Sequence, residues 1–350
     1  MRVLYGCNAQ GHGHLSKAAT LVPIIAAAGH EVRVVTSGLA MPGGYEFPNH
    51  SHFAGLPFSV AGGRAVVRNT LKSWARRLPA VTASLAKVRG LVRDFEPDLI
   101  LSDFELLTAS PAVGADCEVV SLCRQVALFD PGVPLPPPGP DAAELRQLTK
   151  VVIRLFTLGA DRYHGYHYRW DSPRCVPPVI RPRLLETPTR RGDFLLVYNA
   201  HHWTDGGDTQ SLLTWAARTR REVVVYGHQA HPRGRFGTVT FREPSREGML
   251  SDLAACRAVV ATAGLTTPAE AYLLGKPCGV VPLPGQWEQR ANAWHLGRAG
   301  MAAWLPAWDY DAAWELPEPV ADERLTAWLT TPAATVLEQV RPGLGRANAG

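Results

Sequence analysis

Short apolar or β-branched runs alternate with longer helical-looking segments from one end of the chain to the other, the pattern of parallel βαβ units. Residues 2–6 read as a first strand, 15–28 as a helix closed by Gly29, and 31–36 as a second strand. A long helical stretch over 69–95 leads through Glu96-Pro97 into a strand over 98–102, and 117–122 makes another. Further on the alternation restarts, with strands expected at 194–198, 222–226, 238–241, 257–262 and 278–281 and helices between them. Pattern alone therefore predicts an α/β protein of two doubly wound domains. Ligands in such sheets bind beyond the carboxyl ends of strands, and with two domains facing each other the natural site is the cleft between them.

Three stretches interrupt this rhythm. The proline-rich segment 130–140 cannot be helix or central strand, because proline fixes φ and lacks a donor, so it reads as a shaping surface loop in preference to an SH3-type ligand. A second proline cluster at 173–188, rich in arginine, reads as part of an interdomain linker. Residues 161–170, DRYHGYHYRW, fit either an aromatic acceptor surface or a partly buried strand.

Composition narrows the class. With 350 residues, 46% apolar and 19% charged, the chain is long enough for two ordinary cores. Its 36 basic and 31 acidic residues give 36 − 31 = +5, without a run of five like charges, which argues against a nucleic-acid partner. The longest apolar stretch, 18–29, is too short to span a bilayer and contains Pro23, so no stable membrane insertion is expected. The apolar run after Arg2 ends at Gly6, too soon for a signal peptide, and the expected compartment is the cytoplasm. Six cysteines without a CxxC pair read as reduced, buried thiols.

Two loops carry the candidate chemistry. Asn8-Ala9-Gln10-Gly11-His12-Gly13-His14 lies between the first strand and its helix, and Ser16 stands where a dinucleotide fingerprint would need glycine. His14, at the start of the helix, can take a proton from an alcohol near neutral pH; a pair of polar loop residues or a metal pair with His12 is the bland alternative. Asp103, at the end of a strand with Glu105 just beyond, would orient that base or cap the following helix. In the other half, Thr262-Ala263-Gly264-Leu265-Thr266-Thr267 runs from a strand end into a helix whose N-terminal N–H groups suit a diphosphate. Glu270 sits one turn into that helix, where its carboxylate could accept from a ribose diol. Gln286, Glu288 and Gln289 place polar side chains at the next strand-to-helix transition, suited to sugar hydroxyls. Asp309-Tyr310-Asp311 matches a metal-binding D-x-D, but this short match reads as helix capping, and no metal site is expected.

The ordered pattern of residues 264–271, 275–277 and 282–293 resembles the donor half of GT-B glycosyltransferases. It is most similar to bacterial enzymes related to the peptidoglycan N-acetylglucosaminyl transferase. Residues 10–14 resemble that group's glycine-rich loop, and 97–103 resemble the P-D-x-x-x-x-D stretch of natural-product glycosyltransferases. The resemblance implies an acceptor-binding domain over 1–180, a linker at 181–192 and a donor-binding domain over 193–320. It places C-terminal helices and a tail, packing back on the first domain, at 321–350. It makes His14 the general base and Asp103 its partner. Gly13, Asn199, Thr262, Gly264, Leu265, Thr266 and Thr267 become donor and phosphate contacts, Glu270 the ribose ligand, and Gln286, Glu288 and Gln289 the sugar contacts. The chain departs from the pattern at Thr262, where plant-type enzymes have histidine, at Ala263 in place of glycine, and at Asn199-Ala200-His201-His202 in place of a Ser/Gly turn.

The expected activity is inverting transfer of a sugar from a nucleotide diphosphate, a UDP-sugar by preference, to a hydroxyl or amine of a small-molecule acceptor, with secondary metabolism as the favoured setting. The nucleotide-sugar is a co-substrate and no cofactor is implied. A nucleotide-sugar hydrolase, a non-hydrolysing 2-epimerase and a non-catalytic nucleotide-sugar-binding protein are the alternatives.

Overall fold

The computed structural model of the chain describes residues 1–61, 64–137, 142–199, 206–227 and 233–346. Contacts divide the chain into two units, one formed by Met1–Ser59, Val66–Val179 and the segment from Thr330 on, the other by Val60–Ala65 and Ile180–Leu329.

The first unit holds strands β1 (Arg2–Asn8), β2 (Glu31–Gly38) and β3 (His50–Ala54). After a hairpin that belongs to the second unit, β4 (Val60–Ala61) and β5 (Arg64–Ala65), come β6 (Leu99–Asp103), β7 (Glu118–Leu122), β8 (Arg162–Tyr166) and β9 (Cys175–Val176). The sheet order is β3-β2-β1-β6-β7-β8-β9 and every pairing is parallel. Helices α1 (His12–Ala27), α2 (Val67–Phe95), α3 (Arg124–Ala127) and α4 (Ala142–Phe156) connect the strands. Six of the seven residues of β1 and all five of β6 are buried, as central strands covered on both faces require. Gly6 in β1 is needed for packing, since a Cβ there would stand 1.9 Å from the Thr108 hydroxyl. A buried cluster that includes Leu4, Val88, Val92, Ile100, Phe104 and Phe156 joins α2 and α4 to the sheet. Each such side chain contributes about 1.5–3 kcal/mol by leaving water.

The stretch 161–170, left open by the sequence, contains the inner strand β8. The sequence pattern missed β3, whose His-Ser-His-Phe-Ala composition is polar because it forms the edge of the sheet with one neighbour.

The second unit contains β10 (Phe194–Tyr198), β11 (Glu222–Tyr226), β12 (Gly234–Phe236), β13 (Val239–Phe241), β14 (Ala258–Thr262), β15 (Cys278–Val281) and β16 (Ala303–Trp304). Their order is β12-β13-β11-β10-β14-β15-β16, parallel except where β12 meets β13. Helices α5 (Arg183–Glu186), α6 (Gly206–Thr219), α7 (Arg246–Ala255), α8 (Thr266–Leu273), α9 (Trp287–Arg298), α10 (Tyr310–Trp314) and α11 (Glu323–Leu329) complete it. Residues 181–192, expected as a linker, are bonded into this unit: Arg190 and Gly192 N–H groups donate to the Ala254 and Ala255 carbonyls at 3.0 and 2.8 Å. Their backbone donors find acceptors at the end of α7, which a free linker would leave to water. Beyond α11, α12 (Ala333–Val340) packs on α1 within the first unit, and the His30 ring contacts the Gly343 carbonyl at 2.8 Å.

Both sheets reverse their winding direction beside their first strand, between β1 and β6 in the first unit and between β10 and β14 in the second. These switch points part the connecting loops at the carboxyl ends of the strands and open a crevice there. The two candidate loops of the sequence, after β1 and after β14, both lie at such points.

Among the described residues no helix is long and apolar enough to cross a membrane.

Candidate active site

At the switch point of the first unit, β1 ends at Asn8, whose side-chain oxygen accepts from the Gln10 N–H at 2.8 Å. The Gln10 amide pairs with the Phe58 backbone in both directions, donating to its carbonyl at 2.6 Å and accepting from its N–H at 2.7 Å. Gly11 then adopts φ +86°, a conformation that favours glycine, and α1 begins at His12. A helix starting there turns His14 toward the end of β6, where parallel pairing sets Asp103 opposite Cys7 of β1. His14 Nδ1 lies 2.8 Å from Asp103 Oδ1, a contact between residues 89 positions apart. Gly13 precedes it, with open space where a Cβ would stand.

Asp103 is fully buried. Burial alone would push its carboxyl up, but the charges and hydrogen bonds of His14 and Lys17 outweigh that effect and hold it below the usual carboxylate range. It is therefore ionised at neutral pH and fixes the tautomer that carries hydrogen on Nδ1, leaving Nε2 as the acceptor. The His14 side chain keeps 16% of its surface exposed. The ring stacks on Phe104 at 6.1 Å between centroids, and Phe104 continues the stack to Phe156 at 4.7 Å. Phe104 has φ 53°, in the left-handed region that a bulky residue rarely enters.

Lys17, one turn beyond His14, also donates to Asp103 Oδ1, at 2.9 Å. Sequence reasoning missed it, although a lysine inside the apolar run that continues through Ala18, Leu21 and Val22 is a visible anomaly. Glu105 is occupied elsewhere: its oxygens accept from the Leu107 and Thr108 N–H groups, the Thr108 hydroxyl and the Ser37 hydroxyl. A separate cavity of about 360 Å³, lined by Phe129, Ile153, Lys150, Arg154 and Arg174 among others, touches none of His14, Lys17 and Asp103.

In the second unit β14 ends at Thr262, and the Gly264 N–H turns back onto the Thr262 carbonyl at 2.7 Å. Leu265 precedes α8, and among the described residues no side chain makes a capping hydrogen bond there, so the backbone N–H groups of Thr266 and Thr267 in its first turn are presented as neutral donors. The neighbouring α9 is tied to this loop by Asn292, whose amide donates to the Ala263 carbonyl at 2.9 Å.

Glu270 lies on α8 but is not open. Arg181 binds it through both oxygens, Nε to Oε1 at 2.6 Å and Nη2 to Oε2 at 2.8 Å, and places its third nitrogen 2.7 Å from the Arg246 carbonyl. Gln289, expected to meet a sugar, is buried, and its side-chain oxygen accepts from the Leu283 N–H at 2.8 Å, closing the turn before α9. Gln286 flanks α9, and its side-chain oxygen has no hydrogen-bond partner among the described residues. Glu288 is half-buried in the first turn. Asn199, after β10, is buried, and its N–H donates to the Tyr226 carbonyl at 3.2 Å; Ala200, His201 and His202 lie outside the described residues, as do residues 138–140 of the proline-rich loop. Asp309 caps α10 by accepting from the Ala312 N–H at 2.9 Å, and Asp311 accepts from Trp215 Nε1 at 2.9 Å and from Arg218 at 2.6 Å. Among the described residues no group of three or more His, Cys, Asp or Glu could hold a metal ion.

Comparison with known proteins gives three findings. The profile of glycosyl transferase family 1 matches residues 1–315. The UDP-N-acetylglucosamine--N-acetylmuramyl-(pentapeptide) pyrophosphoryl-undecaprenol N-acetylglucosamine transferase of Methylobacterium nodulans is 37% identical over 124 residues, which cover 35% of this chain and 30% of that protein. Among solved structures, the glycotransferase of kitacinnamycin is 16% identical with a TM-score of 0.59, over 99% of this chain and 96% of that one. The spinosyn rhamnosyltransferase SpnG, in complex with thymidine diphosphate, is 18% identical with a TM-score of 0.55, over 98% of this chain and 94% of that one. The likeness to these structures is one of fold, and the two parallel-dominated sheets with their helices are those of the GT-B architecture.

Proposed function

The chain belongs to glycosyl transferase family 1, and from that premise we propose that it is an inverting transferase that moves a sugar from a nucleotide diphosphate to a hydroxyl or amine of a small-molecule acceptor. The observation that carries this reading is the 2.8 Å contact of His14 with the buried, ionised Asp103. An imidazole with its Nδ1 proton committed to a carboxylate takes a proton at Nε2. As the acceptor atom bonds to the anomeric carbon, its proton passes to His14 and the bond from that carbon to the diphosphate oxygen breaks, with inversion.

The leaving diphosphate gains negative charge in this step. The N-terminus of α8, with Leu265, Thr266 and Thr267, supplies N–H donors for it, Gly264 shaping the loop before them, and an oriented donor set of this kind stabilises developing charge without a metal ion. Thr262, Asn199 and Gly13 are further candidates along the donor. Glu270 is the proposed ribose ligand; it is 2% exposed and held through both oxygens by Arg181, so the diol would be met only by the lone pairs that Arg181 leaves. Gln286 and Glu288 are the proposed sugar contacts, whereas Gln289 would act through the turn it closes. The relative that acts on UDP-N-acetylglucosamine and the neighbour bound to thymidine diphosphate support a nucleoside diphosphate as carrier, with UDP favoured. The acceptor in this reading is a soluble small molecule met in the cytoplasm, in secondary metabolism.

The test is turnover of a panel of UDP-, TDP- and GDP-sugars, with acceptor and without. Acceptor-dependent release of nucleotide diphosphate, lost in His14→Ala, is the expected result. Release at the same rate without acceptor identifies a hydrolase and overturns the proposal.

A further inference from the structure

The Asp103 carboxylate serves two partners through one oxygen. His14 Nδ1 and Lys17 Nζ lie 2.8 and 2.9 Å from Oδ1, while Oδ2 is buried with no hydrogen-bond partner among the described residues. Lys17 is only 4% exposed, and its ammonium lies 4.6 Å from the centroid of the Tyr166 ring. A buried lysine is costly to keep charged, and this one is placed against the carboxylate already assigned to the base.

We propose that Lys17 is a positioning residue that cancels much of the Asp103 charge, so that the carboxylate orients the His14 ring without holding it as an imidazolium; this rests on the reading of His14 as the base. A bare buried carboxylate beside an imidazole favours the protonated ring and so removes the acceptor lone pair that catalysis needs. With Lys17 on the same oxygen, the ring sees a nearly neutral pair. The hydrogen bond, which depends on the local geometry of Oδ1, is retained.

The other groups packed around this pair do not supply that compensation. Tyr5 and Cys7 face Asp103 from β1, Cys123 from the end of β7 and Tyr166 from β8, and burial pushes each of them up, with Asp103 adding to the effect, so all four are neutral. The Tyr5 and Tyr166 hydroxyls have no hydrogen-bond partner among the described residues, so neither donates to Asp103. Glu105, beyond β6, carries a second negative charge close to Cys7, but its oxygens are taken by four donors of its own. On α1, His12 lies against Tyr45, with Nδ1 at 3.2 Å from the hydroxyl. Lys17 is therefore the one lysine or arginine that reaches Asp103 among the described residues.

The experiment follows the His14 ring by NMR titration of its Cε1 proton in the full chain, which needs no substrate. Lys17→Met should raise the pH at which this ring titrates by about one unit, the scale of removing a single neighbouring charge. Lys17→Arg should leave it within about 0.3 unit, and Lys17→Gln/Asp103→Asn should bring it back down, because both charges are then gone. Lys17→Gln keeps a donor within reach of Oδ1 and replaces Lys17→Met if the latter does not fold. Equal titrations in wild type and Lys17→Gln overturn the proposal, and so does failure of both neutral variants to fold, since Lys17 would then be a structural counter-charge. A shifted titration together with a fully active His14→Ala instead removes the base reading and leaves the charge cancellation standing.

Discussion

The two strand-end loops share one frame, a parallel strand running into a helix at a switch point, yet they present opposite kinds of chemistry. After β1 the frame brings together three titratable side chains, His14, Lys17 and Asp103, from two elements. After β14 it presents backbone N–H groups at a helix start, with the nearby charged pair, Glu270 and Arg181, closed upon itself. Proton transfer needs a group whose charge changes near neutral pH, which only a side chain provides. Holding a diphosphate needs donors whose charge does not change, and the peptide group meets that requirement at every pH. Removal of one side chain should therefore abolish function at the first loop and merely weaken it at the second.

The largest expected effect is that of His14→Ala, which should lower turnover by roughly 10²- to 10⁴-fold with little change in nucleotide affinity. Steady-state kinetics with calorimetry separates the two quantities. Retention of more than about half the activity removes the base assignment and with it the contrast between the loops.

Asp103→Asn comes next. It should slow turnover in the same direction but less, and destabilise the protein by about 3 kcal/mol, because Lys17 is left buried without its counter-charge. The Asp103 carboxyl is held below its usual range in the folded chain, so its stabilisation is present above the unfolded pKa of about 3.9 and is lost as pH falls through the lower folded value. Urea midpoints of the wild type should stay level from neutrality to about pH 5 and fall below about pH 4, and the variant should fall less steeply there. Parallel curves for the two proteins would show that Asp103 carries no linked proton.

Glu270→Ala should weaken nucleoside diphosphate binding by about 1.5–3 kcal/mol and leave the rate at saturating donor nearly unchanged. Unchanged affinity in calorimetry would take α8 out of the donor site. The smallest effect concerns metal. Excess EDTA should alter turnover by no more than about two- to threefold, the scale of screened ion pairing. Abolition reversed by Mn²⁺ would break the comparison, because the second loop would then need a charge that its backbone does not carry.

Much of the frame could be read from the sequence because parallel strands buried on both faces write continuous apolar runs, as 194–198 and 278–281 do. The His14 and Asp103 pair was legible for a related reason: loop position after a first strand, and a carboxylate at a strand end, are topological statements. Arg181 was not, because an ion pair between residues 89 apart leaves no mark in either local sequence, and the prolines around Arg181 spoke for a linker. Gln289 shows a third case. Its place at the start of α9 can be read from the sequence, but an amide there can either meet a ligand or close its own loop, and the sequence does not show that its oxygen accepts from the Leu283 N–H at 2.8 Å.

Phe104 gives the site one further property, which concerns how the protein can be engineered. Its left-handed backbone costs on the order of 1–2 kcal/mol that glycine would not incur. Glycine at this position, however, deletes the ring that stacks on His14 and on Phe156. Phe104 is also buried in the core cluster of the first unit, so deleting its ring costs about 3–5 kcal/mol, more than the relaxed backbone returns. A redesign that relaxes the backbone with glycine there would therefore lower thermal stability and loosen the base together.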